Sequence, residues 1–180
     1  VSAMDRSLVG EVGEGNRKDI RNAVEAAHGA AAWGRGSTHG RAQVMYFLAE
    51  NLESRADEFA KRIKELTGTD GEHEVTVAIS RLLYYAGWCD KFEGVTRNAP
   101  GGRIVFAMPE PIGVMGLICP QSHPLLGLVS LMAPAIAVGN AVVVIPSENA
   151  PLVATDFYQV LDTSDVPAGV VNIITGSRPE

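Results

Sequence analysis

Apolar residues recur at helical spacing through the first half of the chain. Ile20, Ala23, Val24 and Ala27 stand at i, i+3, i+4 and i+7, and Asn16 is placed to cap the turn before them. Met45, Leu48, Ala49 and Leu52 repeat the spacing, as do Ala56, Phe59, Ala60 and Ile63. The third run opens on Ser54-x-x-Asp57, a capping-box type of start, and Gly68 is placed to stop it. Val75, Ala78, Ile79, Leu82 and Leu83 predict a fourth helix running to about Phe92. Its Tyr84, Tyr85 and Trp88 could offer rings to a ligand, but a packed core stripe is the expectation.

The second half alternates between strand and helix patterns. Arg103–Met108 reads as a strand broken by Glu110-Pro111. Gly113–Cys119, Ala141–Ile145 and Val170–Thr175 read as strands, separated by helices at Leu125–Val138 and Pro151–Leu161, the latter with Pro in its first turn. Val142-Val143-Val144-Ile145 is apolar without alternation, as a parallel strand buried on both faces requires. The predicted fold class is therefore α/β: N-terminal amphipathic helices, then a β-α-β-α-β unit with a partial parallel, dinucleotide-fold sheet. Ligands of such sheets sit beyond the C-terminal strand ends. That singles out Pro120–His123, Pro146–Glu148 and Gly176–Arg178.

Charge divides the chain in the same place. Residues 1–97 carry 15 acids and 13 bases, whereas residues 98–180 carry 6 acids and 2 bases. Loop chemistry at Asn98-Ala99-Pro100-Gly101-Gly102 marks the boundary. Three parts follow: a helical part (1–97), a loop and strand (98–112), and the β-α-β-α-β part (113–180). With a net charge of −6 there is no basic footprint for nucleic acid. The apolar run Leu125–Val138 is too short for a bilayer and holds Ser130 and Pro134, and polar, acidic Val1–Gly15 does not read as a signal peptide, so no membrane partner is expected. Cys89 and Cys119 are spaced like neither a disulfide framework nor a zinc site. The expected setting is a reducing, cytoplasmic one.

Candidate chemistry is sparse. No G-x-G-x-x-G follows a strand, and Gly113-x-x-Gly116 lies inside one, where close packing explains it. Cys119 and His123 could form a thiolate–imidazole pair, but a loop with two prolines does not hold helical i, i+4 geometry. His28, His39 and His73 sit among small and charged residues and read as surface groups. Glu148, between a strand and a helix, favours the helix N-terminus by its charge, or accepts hydrogen bonds from a ribose.

Five separated blocks, taken together, resemble the aldehyde dehydrogenase superfamily. They are Glu110-Pro111-Ile112-Gly113 continuing to Cys119-Pro120, then Pro124-Leu125-Leu126, Ala133-Pro134-Ala135 continuing to Gly139-Asn140, Pro146-Ser147-Glu148, and Val166-Pro167-Ala168-Gly169 continuing to Ile173. Gly10-Glu11-Val12 and the helix near Asn16 also resemble the family's N-terminal part. The resemblance implies a dinucleotide site using Ile118, Pro120, Ile145, Ser147, Glu148 and Arg178, with NAD as the cofactor. It implies that Arg103–Met108 is one strand of an oligomerisation hairpin, hence a homo-oligomer or contacts with other modules of a parent protein. The blocks that carry the family's nucleophilic Cys and general-base Glu have no counterpart in these 180 residues.

Three positions depart from the family pattern. In Pro120-Gln121-Ser122-His123-Pro124 the family usually has a Trp-Asn-aromatic run, so Ser122 stands at the oxyanion-hole amide as a degenerate catalytic position. Losing such a donor costs about 10²–10³ in rate. Ile145 stands where a Lys touches the adenosine ribose, and Arg178 stands on the second glycine of a Gly-x-Gly turn. Met132–Ile136 and Asp162–Pro167 further resemble the degenerate second module of double-module aldehyde dehydrogenases. The sequence thus points to a non-catalytic, structural module with weak or vestigial NAD binding. The alternative is part of an active NAD(P)-dependent enzyme that oxidises aldehydes to carboxylates, with Cys and Glu supplied from elsewhere. A stand-alone nucleotide-binding module fits least, because the phosphate loop is absent.

Overall fold

Asn16 caps the first helix, α1 (Arg17–Gly29), by accepting the N–H of Lys18 at 2.8 Å, and Asp19 answers by accepting the N–H of Asn16 at 2.9 Å. The computed structural model, which describes residues 1–177, continues through a short α2 (Ala32–Arg35) to α3 (Thr38–Ser54), α4 (Ala56–Thr67) and α5 (Gly71–Ala86). An antiparallel hairpin, β1 (Val95–Ala99) and β2 (Arg103–Ala107), turns through Gly101 and Gly102, both with positive φ. Then come β3 (Val114–Ile118), α6 (Pro124–Ala137), β4 (Ala141–Ile145), α7 (Pro151–Thr163) and β5 (Val171–Ile173).

The last three strands form a parallel sheet in the order β3-β4-β5, with Ile118 opposite Ile145 and Val144 opposite Ile173. This is the α/β class that the sequence predicts. Val142 and Val144 join the core that continues into α6, α7 and the helices α3–α5. Ala141 and Val143 point the other way, to a smaller cluster with Ala23, Val24 and Ala27 of α1. Strand β4 is thus buried on both faces, which is why its sequence does not alternate. One core runs across both halves of the chain, and β1 straddles the 97/98 boundary drawn from charge.

Some local expectations give way. Ser54 does not cap α4; its hydroxyl donates to the Asn51 carbonyl at 2.8 Å, and α4 starts on Arg55 without a side-chain cap. Arg55 instead grips Glu58 at 2.7 and 2.9 Å. Helix α5 stops at Ala86, short of Phe92, and buries Val75, Ala78, Leu82 and Ala86. Tyr84 and Trp88 fall off that face and are 58% and 41% exposed, their rings resting on one another instead of in the core. Gly68 ends α4 with φ 72°, as expected.

The deepest element is α6, with ten of its 14 residues buried. It runs on through Pro134. Its C-terminal carbonyls have lost access to water and take protein donors. Trp33 Nε1 donates to the Ile136 carbonyl at 2.9 Å, Arg41 Nε to Ala137 at 3.2 Å, and Asn140 Nδ2 to Ala135 at 3.2 Å. Arg41 is itself buried, and its Nη1 donates to the Gly36 carbonyl at 2.9 Å. Gly139 follows with φ 91°, its α-carbon so close to Gly34 that a side chain at either position would meet backbone.

A Trp33→Phe substitution keeps an aromatic ring and removes the indole donor, leaving the Ile136 carbonyl with the Gly139 N–H at 3.0 Å. Urea unfolding should show a loss of about 0.5–1.5 kcal/mol with an unchanged m-value.

Candidate functional site

The loops after β3, β4 and β5 meet at one end of the sheet. Ile118 and Ile145 close the paired strands, and both line an apolar depression of about 560 Å³ on the α1 side, with Ile20, Val24, Ile112 and Ile174. Ile118 is 63% exposed there, so two residues assigned to cofactor binding do face open space. Pro120 is exposed and lies against Gly127 of α6, where any side chain would overlap its ring. Ser147 is fully buried, its hydroxyl donating to the Gln121 carbonyl at 3.0 Å. It braces two loops and is not presented to a ligand.

Gln121 is the organiser of these loops; the strand-end pattern singles out its segment, Pro120–His123, but assigns it no role. Its Oε1 accepts the N–H of Glu148 at 2.9 Å and that of Asn149 at 3.3 Å. The available signal was the N-cap of α7, Ala150, which has no side-chain acceptor, so donors nearby must find one elsewhere. Ser122 is exposed, and among the described residues none bonds its hydroxyl. It can donate to a ligand from this loop, yet no base stands beside it.

His123 takes the N-cap position of α6 in a left-handed conformation, φ 55° and ψ 66°, without capping the helix. Glu74 of α5 does so instead: its Oε1 accepts the N–H groups of Leu125 at 2.8 Å and Leu126 at 3.0 Å. His123 Nδ1 lies 3.7 Å from Glu74 Oε2, so the imidazole turns toward this carboxylate. Glu74 was also missed, although a carboxylate at i−4 from Ala78 and i−8 from Leu82 falls on the apolar stripe and so invites a question.

Glu148 is exposed at a small cleft of about 180 Å³, with Gly176, Ser177 and Glu14 also in its lining. The N-terminal segment runs beside the end of β5, where Gly15 N–H donates to the Thr175 carbonyl at 2.7 Å and Ser177 Oγ bonds the Glu14 carboxylate at 2.5 Å. Glu14 therefore joins Glu148 in the lining, and among the described residues no cation lines the cleft. Arg178 lies outside the described residues.

Neither thiol is placed as a nucleophile. Burial pushes the Cys89 thiol up from its ordinary pKa, with Met45 Sδ 3.5 Å away. Cys119 is fully buried, and its backbone N–H donates to the Ile145 carbonyl at 2.9 Å. His28, His39 and His73 are exposed, as expected. No described helix is long and apolar enough to cross a membrane.

Residues 1–180 match the profile of the aldehyde dehydrogenase family. The chain belongs to this family. Among curated aldehyde dehydrogenase relatives, human retinaldehyde dehydrogenase 3 is 36% identical over 182 residues, covering 97% of the chain and 36% of the relative. Human cytosolic 10-formyltetrahydrofolate dehydrogenase is 32% identical over 192 residues, covering 98% of the chain and 21% of the relative. The crystal structure of PnpE from Pseudomonas sp. WBC-3 superimposes with a TM-score of 0.95 at 31% identity, over 98% of this chain and 37% of that one. A structure of PnpE in complex with nicotinamide adenine dinucleotide gives the same TM-score. The chain thus spans about a third of retinaldehyde dehydrogenase 3 and of PnpE. Over the part of the family scaffold that the chain spans, the parallel sheet and its strand-end loops are in place.

Because burial holds Cys89 protonated, its alkylation by iodoacetamide in the native protein should stay far slower than in urea at pH 8. Native reactivity should rise at higher pH than in the unfolded chain, because burial raises the Cys89 pKa and the thiolate forms later. Peptide mapping across a pH series measures this.

Proposed function

We propose that this chain is a non-catalytic, structural module of an aldehyde dehydrogenase-family protein, with weak or vestigial NAD binding, working in the cytoplasm. The observation that carries the reading is that the backbone donors at the strand ends already have acceptors within the chain. Gln121 takes the N–H groups of Glu148 and Asn149, and Glu74 takes those of Leu125 and Leu126. A diphosphate is held by free donors near helix N-termini; the first-turn donors Leu125 and Leu126 of α6, and the two N–H groups just before α7, are already occupied. Ser122 in place of an amide, and Ile145 in place of a lysine, weaken the same site further.

A second reading is favoured by the close superposition on PnpE: part of an active NAD(P)-dependent enzyme whose Cys and Glu come from outside these residues. NAD, when bound, supplies a hydride acceptor for aldehyde oxidation. In that case Ile118, Pro120 and Glu148 would flank the adenosine half, and Ser122 would offer a shorter donor to the oxyanion. The first reading is supported by the acceptors that Gln121 and Glu74 already give to the Glu148, Asn149, Leu125 and Leu126 N–H groups.

Two measurements test it. Calorimetric titration should give weak NAD binding and weaker NADP binding, because a 2′-phosphate would approach the carboxylates of Glu148 and Glu14. Sub-micromolar NAD, or tighter NADP, would overturn it. Aldehyde oxidation and esterase activity should both be absent, and Ser122→Asn with Ile145→Lys should not create them. Turnover abolished by Cys119→Ala would instead make Cys119 a nucleophile.

The hairpin β1–β2 is the proposed contact with a second copy or a parent module. Both strands are solvent-exposed apart from Ala99, and Ile104, Val105, Phe106 and Met108 stand open, Phe106 at 68% exposure. An edge of unpaired N–H and C=O groups together with apolar side chains favours association. Light scattering should give the mass of at least a dimer, reduced to a monomer by Phe106→Asp. A native chain that stays monomeric at high concentration counts against the contact.

A further inference from the structure

We propose that Glu74 is a positioning residue for the strand-end loops, setting the geometry around Glu148 through Gln121. Its side chain is 2% exposed and stands in the first turn of α5, 51 residues before the amide it caps. One carboxylate oxygen binds the Leu125 and Leu126 N–H groups. The other, Oε2, is buried without a hydrogen bond and has the His123 imidazole 3.7 Å away.

One oxygen thus holds the first turn of α6, and the other faces the residue before it. A non-glycine residue in the left-handed region persists only where its surroundings over-determine it. At His123 those surroundings are Glu74 and the start of α6. Four residues, Cys119 to Ser122, then join this fixed point to the end of β3. Cys119 N–H is tied to the Ile145 carbonyl, and the Pro120 ring is seated over Gly127. Held at both ends, the loop has little freedom in where it puts Gln121. The Gln121 amide in turn holds the backbone of Glu148 and Asn149.

A residue on α5 therefore controls the end of β4 without touching it. The consequence for dinucleotide affinity rests on the reading above; the link between the two clusters does not.

Amide hydrogen exchange by NMR on the full chain tests this link. Glu74→Ala should speed exchange at Leu125 and Leu126 by about tenfold or more, and should also speed it several-fold at Glu148 and Asn149. Glu74→Gln retains an acceptor oxygen and should restore near-native rates at all four. Gln121→Ala should release Glu148 and Asn149 alone. A helix cap with no further role would leave Glu148 and Asn149 at native rates in Glu74→Ala, and that result overturns the proposal. Should Glu74→Ala not fold, His123→Gly removes the imidazole and the backbone strain while leaving both Glu74 bonds. It should speed Glu148 and Asn149 with Leu125 and Leu126 unchanged, and native rates at Glu148 and Asn149 there also overturn the proposal. A parallel NAD titration separates the two readings: altered exchange with unaltered NAD binding keeps the link and removes the dinucleotide role from the site.

Discussion

Burying most of a helix removes water from its ends, and α6 is the element on which this constraint falls. It lies between the parallel sheet and the helices α3–α5, so its terminal N–H and C=O groups must find partners within the protein. Each group left unsatisfied would cost roughly 1–3 kcal/mol, against a total domain stability of about 5–15 kcal/mol. The chain meets the requirement with Glu74 at the N-terminal end and with Trp33, Arg41 and Asn140 at the C-terminal end. Those partners come from α5, α2, α3 and the turn before β4. Satisfying one helix therefore fixes how four parts of the chain sit around it.

The same constraint shapes the strand-end loops. Where a helix N-terminus opens to solvent, an anion can dock on its free N–H groups. At α6 a buried carboxylate already does so, and near α7 the Gln121 amide takes the donors leading into the helix. Glu14 and Glu148 add negative charge to the neighbouring cleft. Together these features give loops that brace one another. Apolar surface at Ile118 and Ile145 persists, and it suits a flat ring better than a charged group.

Periodicity made most of the fold legible, because burial on one helical face, or on both faces of a strand, writes itself directly into residue spacing. Strand β4 emerged at its observed bounds for that reason. The four-residue α2 is too short to show a period, and β1 reads Val-Thr-Arg-Asn-Ala, mostly exposed and without alternation. Ser54-x-x-Asp57 had the spacing of a capping box, but the Ser54 hydroxyl found a carbonyl one turn earlier. Tyr84 and Trp88 are large and apolar, yet α5 turns its smaller residues inward because α3, α4 and α6 pack closely there. At the site, Glu148 was legible because topology alone places strand ends together, and Ile118 and Ile145 through the family resemblance. Gln121, Glu74 and Glu14 were not, since their roles depend on partners 27, 51 and 163 residues away.

These two kinds of residue also answer to different pressures. A valine in β4 is set by neighbours on both faces of the sheet, and any polar replacement would strand a buried group whatever the protein does. A strand-end side chain is set by what stands across the loop, and that can be a ligand or another residue of the chain. Here Gln121 faces Ser147 and Glu148, and Glu74 faces Leu125 and His123. The aldehyde dehydrogenase scaffold is thus compatible with two kinds of strand-end chemistry, one open to a dinucleotide and one closed on itself. The core does not choose between them, because the hydrogen bonds that distinguish the two lie outside the layers that hold the sheet together.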